Sequence, residues 1–290
     1  MLNVSTRIVR GFALTKKAAF VLIVLPVIFY IVGIVLFFIL TEDIIDLDFF
    51  LYEGSDTGSA FGILVILLTF SIMTVGIVLT LKLIGVKLEA LTGAFSNILP
   101  LAFKSFVIAF LVAAFGWLLD VPFNGGLTRN IEFVPWLAYL LPLLVAIFIQ
   151  ISAEELFFRG ALPVALARLM PSRLLINILI SVLFGIAHYE PGIYGEFGAQ
   201  LVVLDIAVMS FLLLDLTFRA QSIGPALGWH FANNVFIFLF VGARDDALSH
   251  SLFVLDATTE EIAATPQAHV ILILTYLITY FAIRISVLRR

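Results

Sequence analysis

Hydrophobic positions in this chain do not alternate with polar ones at a strand or helix period. They run on nearly unbroken, and polar residues collect in the gaps between runs. Crossing a hydrocarbon core takes about 20 apolar helical residues, because lipid offers backbone N–H and C=O groups no partner except those of the helix itself. Eight runs approach that length: 18–40, 59–81, 99–119, 135–153 with an extension beyond, 174–188, 199–217, 223–241 and 270–288. The predicted fold class is therefore all-α, a polytopic membrane helix bundle of about eight transmembrane helices. The first run follows Arg7, Arg10, Lys16 and Lys17 as a secretory leader would, but its 23 residues exceed the roughly 7–15 of a leader and no small-residue cleavage site follows. It is predicted to be a retained helix. Pro163 and Pro171 punctuate the fourth run and the turn after it, and Gly54, Gly58, Gly125 and Gly126 mark loops. No internal repeat, low-complexity tract or soluble domain is visible. The chain divides into 1–134 (three spans and their loops), 135–241 (a central unit) and 242–290 (a long loop and the last span).

Composition sharpens this picture. Hydrophobic residues make up 62% of the 290 and charged residues 12%, against roughly 45–50% and about 25% in soluble domains, which excludes a soluble single-domain enzyme. Sixteen basic and 20 acidic side chains leave a net charge of −4, so nucleic acid is not an expected partner, since phosphate binding needs clustered Lys and Arg. There is no Cys, which removes disulfides, thiolate nucleophiles and Cys-based metal sites. The basic residues also suggest orientation, because Lys and Arg stay on the cytoplasmic side of short loops. Thirteen of the 16 fall on alternate, same-side segments: the four N-terminal ones, Lys82, Lys87, Lys104, Arg168, Arg173, Arg219, Arg284, Arg289 and Arg290. Arg129 and Arg244 lie opposite, beside the acidic stretch Glu42, Asp43, Asp46, Asp48, Glu53, Asp56 and the loop Asp245–Glu261. The expectation is a multi-pass protein of the cell membrane with both termini cytoplasmic. Its acidic loops read as solvated linkers.

A few ionisable or strongly polar residues fall at membrane depth, where they are costly and mark function by default. They are Glu154, Glu155 and Arg159 in IQISAEELFFRG, His188 in SVLFGIAHYE, Asp205, and His230 with Asn234 in PALGWHFANN. Asp215 with Arg219, and Lys82 with Lys104, lie near span ends, where snorkelling suffices. Glu154 is 17 residues before Pro171 and His188 is 17 after it. Antiparallel helices turning there bring the two level, about 25 Å from the turn. His230 and Asn234 lie 7 and 11 residues into their span, so all four can share one layer.

Helical phase separates their roles. His230 and Asn234 are i, i+4 and point from one face. Glu155 and Arg159 have the same spacing with the acid N-terminal, the better order for an ion pair. Glu154 lies about 100° around the helix from Glu155. Glu155 is thus expected to be paired and Glu154 free, with Gln150 one turn earlier on its face. Asn177, Ser181, Phe184 and His188 form a polar stripe on the fifth span, for which helix–helix hydrogen bonding is the competing explanation.

Hydrolysis of an amide needs an activated water and a donor for the developing oxyanion. A carboxylate and an imidazole suit the first task; an imidazole and a carboxamide N–H suit the second. Ser152 and Ser181 sit in no nucleophile motif and are read as packing residues. Two His and one Glu also make a zinc ligand set with an open position, but no His-Glu-x-x-His occurs and Asn234 is a poor zinc ligand. A proton-coupled transporter built on Glu154, Asp205 and the histidines is a further alternative.

The Glu-Glu-x-x-x-Arg of Glu154, Glu155 and Arg159, the Phe-x-x-x-His of Phe184 and His188, and the His-x-x-x-Asn of His230 and Asn234 resemble, in order and approximate spacing, the motifs of the CPBP family. These are the CAAX protease and bacteriocin-processing enzymes, including type II CAAX prenyl endopeptidases (Ras-converting enzymes). The resemblance covers about 135–240. It implies an eight-helix intramembrane endopeptidase of the glutamate type without metal or other cofactor. Glu154 and His188 would activate water, His230 and Asn234 would form the oxyanion hole, and Glu155 and Arg159 would support the site. It also implies a peptide or lipidated-protein substrate in the bilayer, such as a prenylated protein cut just after its modified Cys, and Tyr189 would narrow access. Some relatives look like immunity or sorting proteins, so a non-catalytic membrane binding or immunity protein on the same fold is the alternative.

Overall fold

A computed structural model describes residues 14–41, 60–123, 125–246 and 250–288. The acidic stretch from Glu42 to Asp56, with Gly54 and Gly58, lies outside the described residues, as do Arg7, Arg10, Arg289 and Arg290. The described residues are 81% helical. In chain order the helices are α1 (Lys16–Thr41), α2 (Ala60–Ile84), α3 (Glu89–Thr92), α4 (Phe95–Asp120), α5 (Phe133–Glu155), α6 (Leu162–Leu166), α7 (Arg173–Ile186), α8 (Pro191–Ala220), α9 (Gly224–Val235), α10 (Thr259–Ala263) and α11 (Pro266–Ser286). Two π-helical turns, Leu156–Ala161 and Phe236–Phe240, follow α5 and α9 directly.

Among the described residues six helices are long and apolar enough to cross a membrane: Lys16–Thr41, Ala60–Ile84, Glu89–Leu119, Phe133–Leu166, Pro191–Ala220 and Pro266–Ser286. The protein is a multi-pass membrane protein. Its apolar surface faces outward, with Phe20, Leu40, Leu99, Phe103, Leu111, Phe115, Leu118 and Leu141 all at least 60% exposed, a surface that only lipid covers without cost. Two of the eight expected runs form helices below spanning length: α7 has 14 residues, close to the 15 of the run 174–188, and α9 has 12 and continues through the π turn to Phe240. α7 stops at Ile186, leaving His188 in the turn before Pro191, where the proline ring disfavours helix in the preceding residue. α9 packs against α4, α5 and α8 and buries nine of its 12 residues. Enclosed by protein, it escapes the length that lipid imposes.

Glycine permits this enclosure. A Cβ on Gly228 would stand 2.0 Å from the Ala102 carbonyl oxygen, and one on Gly224 would stand 2.7 Å from that of Ile98. The i, i+4 glycines therefore bring the backbones of α9 and α4 together, the small-residue mode of membrane helix packing. Around α9, Leu143, Ile147 and Ile151 of α5, Ile63 and Leu67 of α2, and Leu227 and Leu239 share one apolar cluster.

The loop after α9, expected as a solvated linker, is ordered where it is described. Strands β1 (Leu127–Arg129), β2 (Val241–Ala243) and β3 (Phe253–Leu255) form a small sheet in the order β1-β3-β2, with β1 antiparallel and β2 parallel to β3. α10 carries a complete capping box, in which Thr258 Oγ1 accepts from the Glu261 amide and the Glu261 carboxylate accepts from the Thr258 amide. Asp245 accepts from the Thr259 amide at 2.6 Å and its hydroxyl at 2.8 Å. Strands of three residues leave too little alternation to read from sequence.

Candidate functional site

The last turns of α5 carry Gln150, Glu154 and Glu155, and the π turn that follows carries Arg159. A π turn widens the helix by one residue and recurs at functional sites. A second π turn follows Asn234 on α9 in the same way. Gln150, Glu154, Glu155, Arg159 and His230 are all buried. Glu155 Oε1 lies 3.2 Å from Arg159 Nη1, with both side chains fully enclosed. This contact is an ion pair without hydrogen-bond alignment, since the three guanidinium nitrogens of Arg159 have no hydrogen-bond partner among the described residues. The guanidinium instead lies over the Phe184 ring, 4.4 Å from its centroid, a cation–π contact strengthened by desolvation.

The two adjacent carboxylates do not divide into one paired and one free. His230 stands between them, its Nδ1 2.8 Å from Glu155 Oε1 and its Nε2 3.7 Å from Glu154 Oε2. Both acids reach one imidazole because it approaches from α9, across the angle that separates them on their own helix. Glu154 Oε1 accepts from Gln150 Nε2 at 2.6 Å, while Glu154 Oε2 is buried with no hydrogen-bond partner among the described residues. Gln150 Oε1 accepts from Asn234 Nδ2 at 3.0 Å, so Gln150 joins the acid of α5 to the amide of α9.

His188 reaches this cluster through Phe184. Its Nδ1 lies 2.8 Å from the Phe184 carbonyl oxygen, which can only accept, so Nδ1 carries a proton and the neutral ring has its lone pair at Nε2. The Phe184 ring centroid is 4.9 Å from that of His188 and 6.0 Å from that of His230. Tyr189 is exposed, and its hydroxyl donates to Glu196 at 2.6 Å. Asn177 and Ser181 serve packing: Ser181 donates to Asn177, and Asn177 donates to the Phe211 carbonyl of α8.

Asp205 pairs elsewhere. Its carboxylate meets His269 Nδ1 on α11, and His269 Nε2 lies 2.8 Å from the Ala263 carbonyl oxygen. Asp215 likewise gathers Arg173, Arg219 and the Tyr280 hydroxyl. Two of the four histidines, His250 and His269, were not singled out by sequence. His269 opens its helix and His250 lies in a loop, so neither interrupts an apolar run. Among the described residues, no group of three or more His, Cys, Asp or Glu side chains is disposed to hold a metal ion.

Residues 135–236 match the family model described as type II CAAX prenyl endopeptidase Rce1-like. This stretch is similar to the Rce1-like domain of the CPBP family. The chain is also similar to the uncharacterized protein YyaK of Bacillus subtilis (strain 168), 36% identical over 102 residues, or 35% of this chain and 34% of that protein. It thus spans about a third of the length of this curated relative. No solved structure matches.

Proposed function

We propose that this membrane protein, with its Rce1-like stretch at 135–236, is a glutamate-type intramembrane endopeptidase. It would hydrolyse a peptide bond of a membrane-associated peptide or lipidated protein, such as the C-terminal tripeptide of a prenylated CAAX protein. The observation that carries the reading is the Glu154 carboxylate, which has one oxygen held by Gln150 and the other buried and unpartnered, 3.7 Å from His230 Nε2. That separation is too long for a direct hydrogen bond, so Oε2 keeps its lone pairs for the proton of an attacking water.

Glu154 accepts a proton from this water as it attacks the scissile carbonyl, and His188 Nε2 is the second acceptor of the water-activating pair. Charge then develops on the carbonyl oxygen, where Asn234 Nδ2–H and His230 donate. His230 Nδ1 faces the Glu155 carboxylate and so holds a proton, and Nε2 serves the oxyanion when it holds one as well. The proton on Glu154 passes to the leaving amine as the C–N bond breaks. Glu155 and Arg159 hold His230 in place. No step needs a cofactor.

The test is cleavage of a farnesylated CAAX peptide by detergent-purified protein, beside Glu154→Ala and with a metal chelator. Chelator-resistant cleavage, lost in Glu154→Ala while the variant keeps its thermal transition, is expected. Equal cleavage by the variant would remove Glu154 from the mechanism. Function that survives loss of Glu154 and depends on the loops would favour a binding or immunity protein.

A further inference from the structure

We infer that Gln150 is a positioning residue, which sets the amide order that makes Asn234 a donor and aims the free oxygen of Glu154. The inference rests on the protease reading above. An ionised carboxylate only accepts hydrogen bonds, so the 2.6 Å contact to Glu154 Oε1 obliges Gln150 to present its –NH2 there. Its carbonyl oxygen must then face Asn234, 3.0 Å away, and that contact in turn obliges Asn234 to present Nδ2. Asn234 Oδ1 accepts from Asn233 Nδ2 at 3.3 Å. One N–H of Asn234 is used by Gln150, and the second remains for an oxyanion. Side-chain amides flip readily, and an Asn234 without this partner can equally present its carbonyl oxygen, which repels the developing charge. Gln150 also ties up Glu154 Oε1 and leaves Oε2 as the atom facing His230 Nε2. Gln150 is buried, so its bonds do not compete with bulk solvent.

The purified 290-residue protein carries the test, as Gln150→Leu, Gln150→Glu and Glu154→Ala assayed on one farnesylated CAAX peptide. Gln150→Leu is expected to lower kcat about 10- to 100-fold with little change in KM, the scale of a misplaced catalytic group. A protonated carboxyl at position 150 can donate to Glu154 and accept from Asn234 as glutamine does, whereas an ionised one cannot. Gln150→Glu should therefore recover activity as pH falls, unlike Gln150→Leu. The other groups within reach of Glu154 are His230, Glu155, Arg159 and, from α1, Tyr30. All are common to the variants, so a changed profile reports position 150. Wild-type kcat in Gln150→Leu, or equal losses in both variants with an unchanged profile, would overturn the inference. Should Gln150→Leu not fold, Gln150→Met replaces it. Cleavage that persists in Glu154→Ala removes the glutamate mechanism on which the inference rests, independently of what position 150 does. If the wild type cleaves nothing, a double-mutant cycle of Gln150→Leu and Asn234→Leu on thermal unfolding decides about the bridge. Non-additive shifts are expected, and additive shifts sink it.

Discussion

Arg159 is enclosed beside Glu155 and stacked on Phe184, and taking two charges out of water costs more than a poor pairing returns. Removing one partner is worse, because the other charge stays buried. Arg159→Ala is expected to destabilise the protein by about 3–5 kcal/mol, read as a lowered thermal transition in detergent. Arg159→Lys keeps the charge but loses the planar guanidinium over the ring, so it should fall between wild type and alanine. A transition unchanged in Arg159→Ala would show that Glu155 needs no cation. The Glu155–Arg159 pair was legible from i, i+4 spacing. The place of His230 between both acids was not, since it depends on a helix 75 residues away.

Elements succeed or fail here by how closely they approach. Gly228→Ala must push α9 off the Ala102 carbonyl, which moves His230, whereas a Cβ on Gly192 meets nothing within 4 Å. Gly228→Ala is expected to lose activity and thermal stability while Gly192→Ala keeps both; equal behaviour would deny that backbone contact sets α9. The loop carrying β2, β3 and α10 responds to pH instead. Hydrogen bonds from Thr258, backbone first, hold Glu261 below its ordinary 4.5. Burial lowers His250 below its ordinary 6.5, with its ring against Tyr139. Both unfolded-state groups bind protons at higher pH than the folded ones, so both contributions are complete at high pH. The His250 contribution is lost as pH falls from 6.5, and that of Glu261 as pH falls from 4.5. Protection factors of the amides in 241–246 and 250–263, taken against the intrinsic rate at each pH, should therefore fall in acid, in a phase near the histidine range that His250→Gln removes. Thr258→Ala should weaken the α10 cap by about 0.5–2 kcal/mol, read by exchange of its amides.

For the whole molecule, the distribution of basic residues argues for Arg168 and Arg173 in the cytoplasm and the Asp245–Glu261 loop outside. The natural chain has no cysteine, so Leu169→Cys and Glu260→Cys, both at exposed positions, each give a single thiol. An impermeant maleimide applied to intact cells is expected to label the second and not the first; the reverse pattern would invert the protein.

The sequence by itself determined that the chain is helical and lives in lipid, because long apolar runs have no other way to satisfy their backbones there. It also determined which polar residues share a helix face, since a period of about 3.6 residues is local. Only the tertiary structure decided that α9 is enclosed by protein and that the loop after it builds a small sheet. It alone decided that Asp205 answers to His269, and that Gln150 links Glu154 to Asn234. Those outcomes turn on helix rotation and on contacts between distant segments, which no local period encodes.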